Sequence, residues 1–130
     1  MSMNDILANA LSHIKNSERA GKTECHIKPV SNVLKKVLEI MNRNGYIGTF
    51  EEVEDSKGNY IRINMLNRIN NCGSIKPRYA VKASELEKWE KRYLPAKDFG
   101  MLIISTPKGI ITHYEAKKMN LGGRLISYCY

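Results

Sequence analysis

The chain has 130 residues, enough for one or two small domains around modest cores. Its 21 Lys and Arg against 13 Asp and Glu leave a formal net charge of +8. Residues 1–66 carry nine basic and eight acidic side chains and residues 67–130 carry twelve and five, a basic half that suits nucleic acid or an anionic membrane as partner. No membrane or secretory segment is expected: Met1 to Ile6 lacks a basic stretch followed by an apolar core, and the aliphatic block from Met101 to Ile104 is far too short to span. A cytoplasmic protein is expected. Cys25, Cys72 and Cys129 are odd in number, far apart and show no Cys-x-x-Cys spacing, so reduced thiols are the expectation.

In chain order, Ile6, Leu7, Ala10, Leu11 and Ile14 repeat at helical spacing and predict an amphipathic helix over Asn4 to Lys15. A polar turn at Gly21 follows, with Lys15, Asn16, Arg19 and Lys22 near it. Glu24 to Lys28 reads as a short strand stopped by Pro29. Ser31 is a predicted N-cap for a helix that buries Val33, Leu34, Val37, Leu38 and Met41 and ends at Gly45. Two stretches rich in β-formers, Tyr46 to Asp55 and Asn59 to Leu66, flank Ser56, Lys57 and Gly58 and predict a hairpin. Glu51, Glu52, Glu54 and Asp55 resemble a carboxylate cluster, but with no His or Cys beside them they read as a solvated strand edge that discourages association. Metal binding is not expected.

The polar run 67–74 reads as a linker, where the charge balance also changes. It divides the chain into an N-terminal domain, 1–66, and a C-terminal domain, 67–130. Ser74 to Lys82 is predicted as one edge strand because Pro77 would interrupt a central ladder, with Lys76, Arg78 and Lys82 on a shared face at period two. Ser84 and Glu87 suggest a capping box for a helix to Leu94, in which Leu86, Trp89 and Tyr93 face inward and Trp89 anchors the core. Met101 to Ser105 reads as a buried strand and Pro107 to Gly109 as a turn. Thr112 with Glu115 forms a second expected capping box, opening a short helix over Tyr114 to Met119. Leu125 to Tyr130 closes the chain as a strand.

The stretch Ser105 to Arg124 holds the candidate site. Ser105, Thr106, Pro107, Lys108 and Gly109 form a polar turn, and Gly122, Gly123 and Arg124 form a glycine bend followed by a cation. Hydroxyls, free amides and cations of this kind suit gripping a polyanion. Lys76, Arg78, Lys82, Lys117 and Lys118 are candidates for a phosphate-bound periphery. Nothing reads as an enzyme: His13, His26 and His113 are scattered, Cys25 and His26 as strand neighbours point to opposite faces, and no nucleophile motif or phosphate-cradling loop occurs. No cofactor and no small-molecule substrate are expected.

The pattern Ser105, Thr106, x, Lys108, Gly109, with Ala116, Lys117, Gly122 and Gly123, closely resembles the signature of the ribosomal protein S8 family of the small subunit. Asp5 to Ala8 followed by Ile14, Lys15 and Asn16 is similar to that family's first helix, and Pro29, Val30 and Ser31 with Gly45, Tyr46 and Ile47 frame its second. Leu86 to Trp89 through Leu94, Pro95, Phe99 and Gly100 resembles the archaeal and eukaryotic branch. The resemblance implies an α/β (α+β) protein of two small domains, helices on a three-stranded sheet and then a mainly β domain with short helices. It also implies a structural ribosomal protein that binds an irregular hairpin in the central domain of small-subunit ribosomal RNA, organises assembly and adjoins neighbouring ribosomal proteins. An mRNA-binding translational regulator using the same site is the alternative. Carried over by residue, Ser105 and Thr106 meet an exposed base, Lys108 and Gly109 follow phosphates, and Gly122 and Gly123 permit close backbone approach. Two positions depart from the bacterial pattern. Pro107 replaces a common serine, removing a hydroxyl and an N–H. Arg124 replaces a glutamate, exchanging an acceptor for a cation that suits phosphate or a guanine edge.

Overall fold

The computed structural model describes residues 6–28, 30–96 and 99–130. It divides into two compact units, Met1–Asn71 and Cys72–Tyr130. The predicted stop at Pro29 and the predicted helix start at Asn4 and Asp5 lie outside the described residues.

In the first unit, helices α1 (Ile6–Arg19) and α2 (Asn32–Arg43) pack on an antiparallel sheet of β1 (Glu24–Ile27), β2 (Ile47–Val53) and β3 (Tyr60–Met65), in the order β1-β3-β2. Period-two burial explains the sheet. Ile61, Ile63 and Met65 point inward while Arg62 and Asn64 face out, so one face takes the helices and the other stays solvated. Cys25 and Ile27 are buried and Glu24 and His26 exposed, which places Cys25 and His26 on opposite faces. The Ser31 hydroxyl caps α2 by accepting from Leu34 N–H at 3.1 Å, and Gly45 follows the helix with φ +80°, a conformation that suits glycine.

The first helix runs four residues beyond the predicted Lys15. Its last turn buries Ser17 and Glu18. One Glu18 carboxylate oxygen accepts from Ile69 N–H at 3.1 Å, tying the polar run that follows β3 back onto α1. The acidic strand residues are paired across the sheet and helix: Glu51 with Arg62, and Glu52 with Lys35 at 2.6 Å and with Asn59 at 2.9 Å. Hydrogen bonds from Lys35 and Asn59 hold the Glu52 carboxyl below its ordinary pKa.

The second unit is a five-stranded antiparallel sheet with two short helices. Strand β6 (Met101–Thr106) lies between β7 (Gly109–Thr112) and β8 (Gly123–Cys129). Along the other side of β8 run two short strands in line, β4 (Cys72–Ser74) opposite Ser127 to Cys129 and β5 (Ala80–Val81) opposite Gly123 and Arg124. Two expectations change here. The run 67–74 is not linker throughout, because Cys72 enters the sheet buried. The predicted strand Ser74 to Lys82 is two strands joined by a bend containing a cis Lys76–Pro77 peptide, so Lys76, Arg78 and Lys82 do not form a period-two face. The segment does occupy a sheet edge, where the missing Pro77 N–H breaks no ladder.

Helices α3 (Leu86–Tyr93) and α4 (His113–Met119) contact the sheet. Leu86 and Trp89 of α3 and Ala116 of α4 join Leu102, Ile104 and Leu125 in one apolar cluster, as the inward stripe predicts. The entry to α3 differs from the Ser84–Glu87 box: a 3-10 turn, Ala83–Glu85, precedes the helix, and the Glu85 carboxylate reaches back to Lys82 N–H at 3.0 Å. At α4 the Thr112 hydroxyl caps Glu115 N–H at 3.3 Å. The reciprocal half is absent in its expected form, since the Glu115 carboxylate lies 3.4 Å from the Thr112 hydroxyl. As a β7 residue opposite Ile103, Thr112 also belongs to the ladder.

Candidate nucleic-acid interface

Antiparallel pairing brings the two arms of the candidate stretch together. Ser105, near the end of β6, stands directly opposite Arg124 on β8 and opposite Ile110 on β7, while Arg124 stands opposite Ala80 on β5. Residues opposite one another in a ladder share a face, so Ser105 and Arg124 project on the same side of the sheet, and both are exposed. The Arg124 guanidinium lies 3.4 Å from the Arg78 carbonyl, which draws the β5 edge into this corner. A register shift in the β6–β8 ladder, where Ile103 pairs with Ser127 but Ile104 with Leu125, leaves Ile126 as the extra residue of a bulge. Bulges re-aim the side chains around them, and here the change of phase falls just before the Ser105–Arg124 pair.

The β6–β7 connection is a two-residue turn, Pro107 and Lys108, closed by the Thr106–Gly109 pair. Thr106 holds it. Its hydroxyl donates to Gly109 O at 2.8 Å and accepts from Lys108 N–H at 3.2 Å, and the side chain is buried. Gly109 has φ +118°, a region closed to most side chains. Pro107, Lys108 and Gly109 are exposed around this frame. The turn therefore offers Ser105 and Lys108 outward, with Thr106 shaping it from beneath.

The glycine bend meets protein at close range. A Cβ on Gly123 would overlap the Ser105 carbonyl, and one on Gly122 would lie 2.6 Å from Val81 O. Both positions thus need glycine for β8 to enter between β6 and β5, a requirement that exists before any ligand arrives.

The peripheral cations separate into two groups. Lys76, Arg78, Lys82 and Lys118 are exposed. Lys117, exposed as well, forms an ion pair with Glu90 of α3, whose side chain is 6% exposed. His113 is fully buried, accepts from Leu102 N–H at Nδ1 (2.9 Å) and sets Nε2 3.6 Å from the same carboxylate. Glu90 is hidden from a sequence reading that follows only the apolar stripe. It stands four residues after Leu86 and three before Tyr93, a spacing that places it on the inward face.

This corner combines a hydroxyl, two cations and a backbone bend on a solvent-facing sheet edge, a donor-rich surface for phosphates and base edges. Among the described residues there is no group of three or more His, Cys, Asp or Glu placed to hold a metal, and no helix is long and apolar enough to cross a membrane. A family model described as Ribosomal protein S8 matches residues 5–130.

Proposed function

The chain belongs to the ribosomal protein S8 family, and on that premise we propose that it holds an irregular helical hairpin in the central domain of small-subunit ribosomal RNA at the Ser105–Arg124 corner. The family is one of structural, RNA-binding proteins of the small ribosomal subunit, with ribosomal RNA and ribosomal proteins as partners, and is not an enzyme family. The observation that carries the finer reading is the cross-strand pairing of exposed Ser105 with exposed Arg124 beside the Lys108 turn.

A-form RNA hides its major groove, so a protein gains most where an internal loop widens the helix or presents unstacked bases. In this reading Ser105 meets such a base with its hydroxyl, Lys108 and the Gly109 backbone follow the phosphates, and Arg124 pairs with phosphate or a guanine edge. Thr106 and Pro107 set the curvature of the turn. Gly122 and Gly123 let β8 approach β6 and β5 so that Arg124 stands beside Ser105. Lys76, Arg78, Lys82 and Lys118 supply the outer phosphate contacts, and Lys117 acts by fixing α4 to α3.

The C-terminal domain, 67–130, carries this grip and most of the net charge, while the N-terminal domain, 1–66, meets other RNA or neighbouring ribosomal proteins. The α3 segment from Leu86 to Trp89 supports a place on the archaeal and eukaryotic branch, and holding the central domain early would make the protein an organiser of assembly at the cytoplasmic ribosome. Sequencing the RNA that copurifies after a high-salt wash tests the reading. Central-domain ribosomal RNA is the expected product; chiefly messenger RNA would favour a translational regulator.

A further inference from the structure

Beside the corner lies a basic and aromatic surface that the Ser105–Arg124 reading does not use. Tyr79, just before β5, stacks on Trp89 of α3 with ring centroids 4.7 Å apart and planes 29° apart. The Arg92 guanidinium lies over both rings, 5.2 Å from the Trp89 centroid and 5.9 Å from that of Tyr79. Lys88 Nζ stands 5.7 Å from the same indole. Trp89 is buried and Tyr79 half-buried, so the rings form a floor, whereas Arg92 and Lys88 are exposed.

We propose that Arg92, held against the Tyr79–Trp89 pair, is a second RNA-contact surface that takes an unpaired base of single-stranded RNA on its guanidinium. A planar cation resting on aromatic rings presents a flat face that stacks with any base, and its charge with that of Lys88 attracts the adjoining phosphates. Charge selects RNA over a protein partner, because the exposed cations Lys88, Lys91 and Arg92 follow one another along this short helix with Glu87 the one exposed acid on it. Position gives the second argument. Tyr79 follows Arg78, whose carbonyl lies 3.4 Å from the Arg124 guanidinium, so the stack begins where the corner ends. Tyr79 and Trp89 pack with Ile104 and Leu125, on the sheet face away from Ser105 and Arg124, so a strand leaving the hairpin at Arg124 would have to round the β5 edge to reach Arg92. In that sense the inference extends the corner reading, but the two fail separately.

The chain's one tryptophan is the floor of this surface, which makes it the reporter. Full-length protein is titrated with a twelve-nucleotide oligoadenylate and, in parallel, with a blunt ribosomal RNA hairpin that has no single-stranded tail. With oligoadenylate, Trp89 emission should change on binding. Arg92→Ala should weaken that binding by about 5- to 150-fold, the range expected when one base loses its stacking platform. Arg92→Lys keeps the charge and loses the plane, and should recover less than half of the loss. Hairpin binding should stay within about twofold for both variants, whereas Ser105→Ala should weaken the hairpin and leave oligoadenylate unaffected. Unchanged oligoadenylate affinity in Arg92→Ala, full recovery in Arg92→Lys, or an indole signal that never responds would each overturn the second surface. Loss of hairpin binding by the wild type would overturn the corner and leave the Arg92 result standing. Thermal melts that match the wild type establish that each variant is folded.

Discussion

Ser105 and Gly123 meet at the same point of the sheet yet should fail in different assays. A methyl group on Gly123 would run into the Ser105 carbonyl, so Gly123→Ala should lower unfolding free energy by about 1–3 kcal/mol through overpacking, as measured by urea denaturation. Ser105 is exposed, so Ser105→Ala should leave the urea midpoint unmoved and weaken hairpin binding by about 1–3 kcal/mol, read by calorimetry. An unimpaired Ser105→Ala, Lys108→Ala double variant would remove the corner from the RNA interface. Cys25 gives a pH test in the other unit. Burial raises its thiol pKa, only partly offset by the Ser17 hydroxyl 3.4 Å away and by Lys22. A raised folded pKa means the folded chain holds the proton longer than the unfolded one, so the contribution is full below the ordinary thiol range and falls as pH rises through the folded value. Stability should therefore decline above about pH 8.5, and Cys25→Ala should flatten that alkaline limb in denaturation curves. At this scale the sequence showed which residue types the corner holds. It did not show that the Thr106 hydroxyl is engaged within its own turn, because that depends on how the hairpin closes.

At the level of elements, α4 places two adjacent lysines in different circumstances. Both are exposed, but Lys117 pairs with a Glu90 carboxylate that is nearly inaccessible to water. Lys117→Met leaves that carboxylate without its ammonium and should cost about 1–3 kcal/mol, below the usual range for a buried pair because Lys117 is itself 38% exposed. Its effect on the salt dependence of RNA binding should be small. Lys118→Ala should do the reverse, sparing the thermal midpoint and reducing the slope of log K against log salt by about 1. Equal slopes for wild type and Lys118→Ala would place that side chain away from phosphate. The elements themselves were largely legible: both helical stripes, the Ser31 and Thr112 caps, the Tyr46–Leu66 hairpin and the buried β6 strand follow from period, caps and turn residues. The edge segment was not. Ser74 to Lys82 alternates like a strand, but β8 has room for two short partners, and the bend at Lys76–Pro77 between them depends on pairing with residues far along the chain, Gly123 and Arg124 among them.

For the molecule as a whole, the relevant quantity is where charge sits. Since residues 67–130 hold twelve basic and five acidic side chains, neutralising three exposed cations there, such as Arg78, Lys82 and Lys118, should flatten the salt dependence of hairpin binding by about 0.7 to 0.9 for each phosphate left without its cation. Neutralising Lys36, Arg43 and Lys57 in the first half should leave the slope near its wild-type value. Equal effects from both sets would mean that the whole surface, not the second half, engages the hairpin. This asymmetry, the mixed α/β class and the family signature were available from the sequence alone, because charge, hydrophobic period and motif are properties of neighbouring residues along the chain. Tertiary structure alone decided that Ser105 faces Arg124, that Gly122 and Gly123 make way for protein backbone, and that Lys117 is committed to Glu90. Each of these is a choice of partner across the sheet or between helices, and such choices are settled by register and packing over long separations.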